Sequence, residues 1–529
     1  MNPVIENSLH VQKNTEATGL SGTPPFRIEP RFGAGEGSEE EATHGSIESV
    51  LEHAGFRQHE IRAIYYGNWL RDFSQLLDPK IVRAAHMPKN FPDVLSRDAL
   101  TRIVDVLAVK EFSDLMKIDR EKFRVTPQRL GVYRPSEHID NPKVVDTPNF
   151  DPTTRDADFE AWVEEDDPLL QVDYQTSMKR YIHRSSAVMQ AELNTALKAG
   201  LESTDGLRAL GSALHILEDF YAHSNYVELC LIKAGYTKVL PWTSQADCKH
   251  GLPLVTGMFG SSDAIASLAA PLGKILFSIK DTTFSAIQAG ERTERDQVVQ
   301  ILLEEHPNEK YLKAYESYLH TRDQWAELPY SDYIEALLHH VRLPGQFVNN
   351  AFGAVMQGLL KLLGNSIDDA QTHLGGDPNT SGSTDPSHSQ LAKDHGEHPL
   401  HELAALLAQD AVARIGHIML YRWQNIPGQA DPVRMAAEHL LHPMDSPVQD
   451  HHERMVREWA RANPHRVQQA ENKSHLDRVT SQARQHAMDQ LESFREKGGH
   501  FLETFLKSDH PLVQLWKLTP LGWYLTRDK

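Results

Sequence analysis

The chain has 529 residues, 40% of them hydrophobic and 24% charged, with a formal net charge of −19. That length suits roughly two to four domains with a real core. The acidic balance argues against a general nucleic-acid binder, which needs a surplus of Lys and Arg. Two cysteines, Cys230 and Cys248, are too few for a disulfide scaffold or a four-thiolate zinc site.

Residues 1–42, rich in Gly, Pro, Ser and Glu, read as a flexible leader. The first twenty residues lack the basic start and apolar run of a secretory signal. No segment reaches the about 20 uninterrupted apolar residues of a membrane span. The expectation is a soluble protein, cytoplasmic as synthesised, with signal-independent export left open. Helical periodicity begins at Thr43, where Thr43 or Ser46 can cap a helix carrying Ile47, Val50 and Leu51. Further helices are predicted over 60–77 and 96–116. A long irregular excursion follows over 124–172, rich in Pro and Asp.

Helices resume over 177–199 and 204–234. An apolar, Gly- and Ser-containing stretch at 251–278 reads either as core or as a means of touching a bilayer. Helices are expected over 294–303, 308–327, 331–341, from 345 to about 370, and from 398 to 423. The run 375–389 reads as a loop, and the polar tail over 447–507 as a solvated helical hairpin or arm. The class is mainly α with few strands. The division is a leader, a helical domain over 43–425 and a C-terminal extension over 426–529.

The most informative segment is LRALGSALHILEDFYAHSNYVEL, residues 207–229. His215, Asp219 and His223 stand four residues apart and so form one stripe along a helix. Leu210, Leu214, Leu217 and Phe220 lie beside them, so part of the stripe faces inward. Imidazoles and a carboxylate buried without partners would be expensive, and zinc or a similar divalent ion would partner them. The bland alternative is a buried hydrogen-bond network. Glu218 and Glu228 are candidate ligands or general bases, and Asn225 can orient a ligand or a substrate oxygen.

Other segments share this chemistry. His44 opens ATHGSIESVL, and Asn68, Trp69 and Asp72 sit in YYGNWLRDFSQ. Trp69 reads more simply as core, and Asp72 as a partner for Arg71. Glu137, His138 and Asp140 lie in YRPSEHIDNP, which could equally be a plain turn before Pro142. His388, Asp394, His395 and His398 crowd SHSQLAKDHGEHPLH, which could be a solvated loop.

The stretches YYGNWLRDFSQLLDP, LGVYRPSEHIDNP, LGSALHILEDFYAHSNYVEL and PLVTGMF together resemble the Het-C family, relatives of the fungal heterokaryon-incompatibility protein, over about residues 43–420. That family is more distantly similar to zinc-dependent phospholipases C and single-strand nucleases. The resemblance implies a helical phospholipase C-like core with long irregular insertions. It implies His215, Asp219 and His223 as zinc ligands, with His138, Asp140 and His44 completing the metal set. Asp72, Glu218, Glu228 and His398 are then the candidates for catalytic roles. The interval from Asp219 to His223 is shorter than in those enzymes, and their ligating N-terminal Trp has no counterpart. One or two ions are therefore expected where those enzymes hold three.

The leading expectation is metal-assisted phosphodiester hydrolysis on membrane phospholipid, in a cytotoxic or incompatibility role. The rivals are a membrane-disrupting or partner-recognising toxin with a structural metal, and a nuclease on the same platform. An immunity or recognition protein is the partner that such a role implies.

Overall fold

The computed structural model describes residues 44–91, 93–143, 151–259, 290–326, 377–482 and 485. Within them the chain is mainly helical, as the periodicity predicts. Among the described residues the paired strands are two-residue ladders: Val82–Arg83 parallel to Leu95–Ser96, and Val172–Asp173 antiparallel to Met178–Lys179. The leader, the helices expected over 331–341 and beyond 345, and most of the apolar stretch 251–278 lie outside the described residues. So does the end of the C-terminal extension.

The Thr204–His223 helix is the hub of the fold. It packs against Gln58–Ser74, Tyr181–Ala199 and His401–Trp423, and every residue from Ala209 to His223 is buried. Its start is fixed by Ser203, whose hydroxyl accepts the Gly206 N–H. Burying Leu210, Leu214 and Leu217 contributes about 1.5–3 kcal/mol each. That apolar gain lets the same helix carry polar groups inward.

Its crossing with Gln58–Ser74 is unusually close. A β-carbon on Gly67 would lie 2.0 Å from the Arg208 carbonyl oxygen, so that position accepts no larger residue. The close approach brings Asn68 and His215 within hydrogen-bond reach.

Several boundaries differ from the sequence expectation. The first predicted helix is two short ones, His44–Glu48 and Leu51–Ala54, and Ser46 lies inside the first rather than capping it. The 96–116 helix is capped by Ser96 but breaks at Phe112, then continues as Ser113–Ile118.

The helix expected over 204–234 ends at His223 and restarts as Tyr226–Lys233. Asn225 causes the break. Its amide donates to the Pro241 and Pro253 carbonyls and its oxygen accepts the Val255 N–H. It therefore clamps backbone and does not orient a ligand.

The tail also departs from expectation. Gln449–Ala462 is no solvated arm: it seats His452, Val456, Trp459 and Ala460 in the core, against Tyr226–Lys233 and His401–Trp423. Val467 and Ala470 are buried in the next helix, Pro464–Ala470. Among the described residues one helix, His401–Trp423, is long and apolar enough to cross a bilayer, and 72% of its apolar window is buried inside the protein.

Candidate metal centre

Three elements meet at the inward stripe of Thr204–His223. The His44–Glu48 helix brings His44 and Glu48, Gln58–Ser74 brings Asn68 and Ser74, and the turn after Pro135 brings His138. Donor atoms of His44, His215 and Asp219 all lie within 4.8 Å of one another, and all three residues are buried.

The hydrogen bonds assign the protons. His215 Nδ1 lies 3.0 Å from Asn68 Oδ1. Both hydrogens of the Asn68 amide go elsewhere, to Glu48 Oε1 at 3.0 Å and Glu218 Oε2 at 3.2 Å. Asn68 Oδ1 is therefore the acceptor and His215 Nδ1 the donor, which leaves a lone pair on His215 Nε2.

His138 is assigned in the same way. The Ser74 hydroxyl donates to the Arg71 carbonyl oxygen at 2.7 Å and so accepts from His138 Nε2 at 3.1 Å. Gln75 Nε2 donates to His138 Nδ1 at 3.1 Å. His138 Nδ1 thus spends its lone pair on Gln75, and it stands 2.9 Å from His215 Nε2.

Asp219 Oδ2 stands 3.0 Å from His215 Nε2 and 3.7 Å from His138 Nδ1. Although buried, it takes no hydrogen bond among the described residues. The lone pairs of His215 Nε2 and Asp219 Oδ2 therefore face each other with no proton assigned between them. A cation relieves that repulsion, and two imidazole nitrogens with a carboxylate are a ligand set suited to zinc.

His44 fits the same pattern: its Nδ1 meets Glu218 Oε2 at 2.5 Å, and its Nε2 faces Asp219 Oδ1 at 3.9 Å. His44 and His215 thus each have the outer nitrogen held by a carboxylate or amide and the inner nitrogen turned to the centre. That is the arrangement in which outer partners orient metal ligands.

The electrostatics follow from burial and from Asp219. Burial pushes His215 down to about 4 against the pull of Asp219, and lowers His138 in the same way. For His44, burial is outweighed by the Glu218 hydrogen bond and charge, aided by Asp219 and Asp72, and the ring is pushed up to about 10. His223 is pushed up to about 9, because Asp219 and Asp394 together overcome its burial. Burial would raise Asp219, but His215 and His223 hold it well below the usual carboxylate range. Glu48 and Glu218 are both raised, first by burial.

The other sequence candidates fall in two groups. His223 lies at the edge of the centre, with Nδ1 3.7 Å from Asp219 Oδ1 and Nε2 3.5 Å from Asp394 Oδ2, and its ring lies 4.2 Å from that of His388. Asp140 is buried beside it and accepts the Tyr133 hydroxyl at 2.9 Å. Asp72 is half-buried, four residues beyond Asn68, and adds its charge to the field at His44. Arg71 takes Glu137 as its partner rather than Asp72. Trp69 is core, stacked 4.0 Å from Phe73.

Glu228 and His398 have different partners. Glu228 is ion-paired with Lys393 at 3.0 Å, and His398 accepts the Leu400 N–H at 3.2 Å. Neither is a natural base for this centre, because Glu228 is already neutralised and His398 is already engaged.

The turn carrying His138 and Asp140 is not a plain one. Ile139 between them has φ 54°, a left-handed conformation that a β-branched residue adopts only at a cost of about 1–3 kcal/mol. The described end of the apolar stretch, Pro253–Met258, is buried and runs past the end of the central helix. Gly257 N–H donates to the His223 carbonyl and Met258 carbonyl accepts the His388 N–H. Over these residues the core reading holds.

Glu48, Ser74 and Gln75 escaped the sequence reading. Glu48 stands four residues after His44, the same spacing that flags His215 and Asp219.

A family model described as heterokaryon incompatibility protein Het-C matches residues 32–297. It covers His44 through Glu228 and stops short of His388 and Asp394. No curated protein and no solved structure matches the chain.

Proposed function

The chain belongs to the Het-C family, and on that premise we propose that His44, His215 and Asp219 hold a divalent metal, most simply zinc, in a phosphodiester hydrolase. The substrate on this reading is membrane phospholipid, cleaved as by a phospholipase C, and the role is cytotoxic or incompatibility-linked. One observation carries the metal: ligand atoms of His44, His215 and Asp219, all three buried, lie within 4.8 Å of one another.

When bound, the ion supplies Lewis acidity toward a phosphodiester and toward water. The chain's own residues do the rest. Asn68 and Glu218 orient the two histidines, and Asp219 balances the charge of the centre. His223, between Asp219 and Asp394, offers a proton donor at the edge. On this reading residues 43–425 form the working unit, since Asp394 closes against His223. Gln449–Ala462 packs onto that unit rather than standing apart from it, and an immunity or recognition protein is the partner such a role implies.

A second reading, a metal that only holds the fold, is favoured by the depth of burial, with His215 at 0% and Asp219 at 2% exposure. The test is metal content by mass spectrometry of protein purified without chelator, followed by hydrolysis of phosphatidylcholine vesicles and single-stranded DNA. Stoichiometric zinc with vesicle hydrolysis lost in His215→Ala supports the hydrolase, and DNA cleavage alone makes it a nuclease. Stoichiometric zinc without either activity leaves the structural role. A folded protein that takes up no metal even after reconstitution removes both readings.

A further inference from the structure

We propose that Glu48 is a positioning residue of the metal centre, acting through Asn68 to set the tautomer of His215. The inference rests on the metal reading above and adds to it a residue that touches no ligand of the centre.

An asparagine amide turned over by half a rotation fills the same space, so packing alone cannot choose its orientation. The choice matters here. With Oδ1 toward His215, the imidazole must carry its proton on Nδ1 and leave Nε2 as a lone pair facing Asp219. With the amide reversed, a nitrogen donor would face Nδ1. His215 would then carry its proton on Nε2, the nitrogen that a metal needs bare.

What holds the amide the right way is the pair of carboxylate oxygens on its other side. Glu48 Oε1 lies 3.0 Å from Asn68 Nδ2 and Glu218 Oε2 lies 3.2 Å from it, so both N–H bonds have an acceptor. Glu218 Oε2 is shared, because it also takes His44 Nδ1 at 2.5 Å. Glu48 Oε1 has Asn68 as its hydrogen-bond donor, and makes the shorter bond to it. Glu48 is buried at 0% exposure, and its other oxygen makes no hydrogen bond among the described residues. A carboxyl group so placed has been kept at the cost of its desolvation, and its geometry gives it one task, to accept from Asn68.

That task needs an acceptor oxygen and not a charge, which makes the proposal separable from a general role in stability. Glu48→Gln keeps an acceptor at the same reach, whereas Glu48→Met keeps the volume and loses it. The probe is zinc affinity by competition with a chromophoric chelator, together with the visible spectrum of the cobalt-substituted protein and a melting curve for each variant.

The expected result is zinc binding within about threefold of wild type for Glu48→Gln and about 10–100-fold weaker for Glu48→Met, the range for loss of an outer-shell partner. The Met variant should also show an altered cobalt spectrum. If the Met variant does not fold, Glu48→Ala takes its place with the same expectation. Equal affinities for the Gln and Met variants, or loss in both, would overturn the role of Glu48 while leaving the metal in place. Wild-type protein that binds neither zinc nor cobalt would overturn the metal reading and this inference together.

Discussion

Gly211 lies so close to Ile64 that a β-carbon there would sit 1.8 Å from the Ile64 carbonyl oxygen. The two helices touch backbone to backbone, and the same approach sets the 3.0 Å bond between Asn68 and His215. Gly211→Ala should therefore push the helices apart and cost about 3 kcal/mol or more, at the upper end for overpacked cores. Chemical denaturation checks the stability, and zinc content should fall with it because Asn68 is carried away from His215.

His215→Ala should reduce bound metal from near one equivalent to less than a tenth. It should also destabilise the fold by about 3 kcal/mol, because Asp219 is left buried with less to balance it. His53→Ala, on an exposed position of the neighbouring Leu51–Ala54 helix, should alter neither metal content nor melting temperature. Equal losses in the two variants would remove the site assignment.

Lys393 gives a third prediction. Its ammonium is fully buried and spends its donors on the Ser224 carbonyl, the Leu391 carbonyl and Glu228, at 2.8, 2.7 and 3.0 Å. Lys393→Met strands the Glu228 carboxylate and should cost about 3–5 kcal/mol. Adding Glu228→Gln should recover most of that loss. Since Glu228 serves this clamp, the double variant should retain its metal. A metal-free but folded double variant would return Glu228 to the centre.

The C-terminal helices should loosen in acid. His439 Nδ1 meets the Tyr221 hydroxyl and His452 Nδ1 the Tyr226 hydroxyl, each at 2.8 Å. Their Nε2 atoms are buried without hydrogen bonds among the described residues. Burial, with the neighbouring His452, pushes His439 down to about 3, and burial lowers His452 against the pull of Asp410. Asp410 faces both from the His401–Trp423 helix and is itself paired with His451 and Arg414. His451, His452 and Arg414 outweigh its burial and hold it below the usual carboxylate range. It therefore stays ionised through the window.

The unfolded chain binds protons on His439 near pH 6.5 and the folded chain only near pH 3. Stability present above about pH 6.5 is lost as the pH falls toward 3, by about 1.4 kcal/mol per unit for that histidine. Hydrogen exchange should show Pro432–His439 and Gln449–Ala462 losing protection at least tenfold between pH 7 and 5, with Arg97–Glu111 unchanged. His439→Gln should flatten that dependence.

The inward stripe of the central helix was legible because His215, Asp219 and His223 repeat at the helical interval within an otherwise apolar run. The partners of that stripe were not, because they come from far along the chain: Glu218 meets His44 across 174 residues. Glu48 escaped because a lone glutamate in a short helix reads as surface. Gln449–Ala462 read as solvated because its composition is polar, yet His452 is buried through its bond to Tyr226. The break after His223 was hidden because Asn225 is satisfied by Pro241, Pro253 and Val255, which no local pattern announces.

Ile139 faces two demands that no single residue meets in full. Its backbone, at φ 54°, suits glycine or asparagine, whereas its side chain is wholly enclosed and fills space that either would leave empty. Substitution here is closed from both directions: a residue easier for the backbone opens a cavity beside His138, and a larger one has nowhere to go. The chain has settled on the option that keeps the wall intact and leaves the torsion unrelieved.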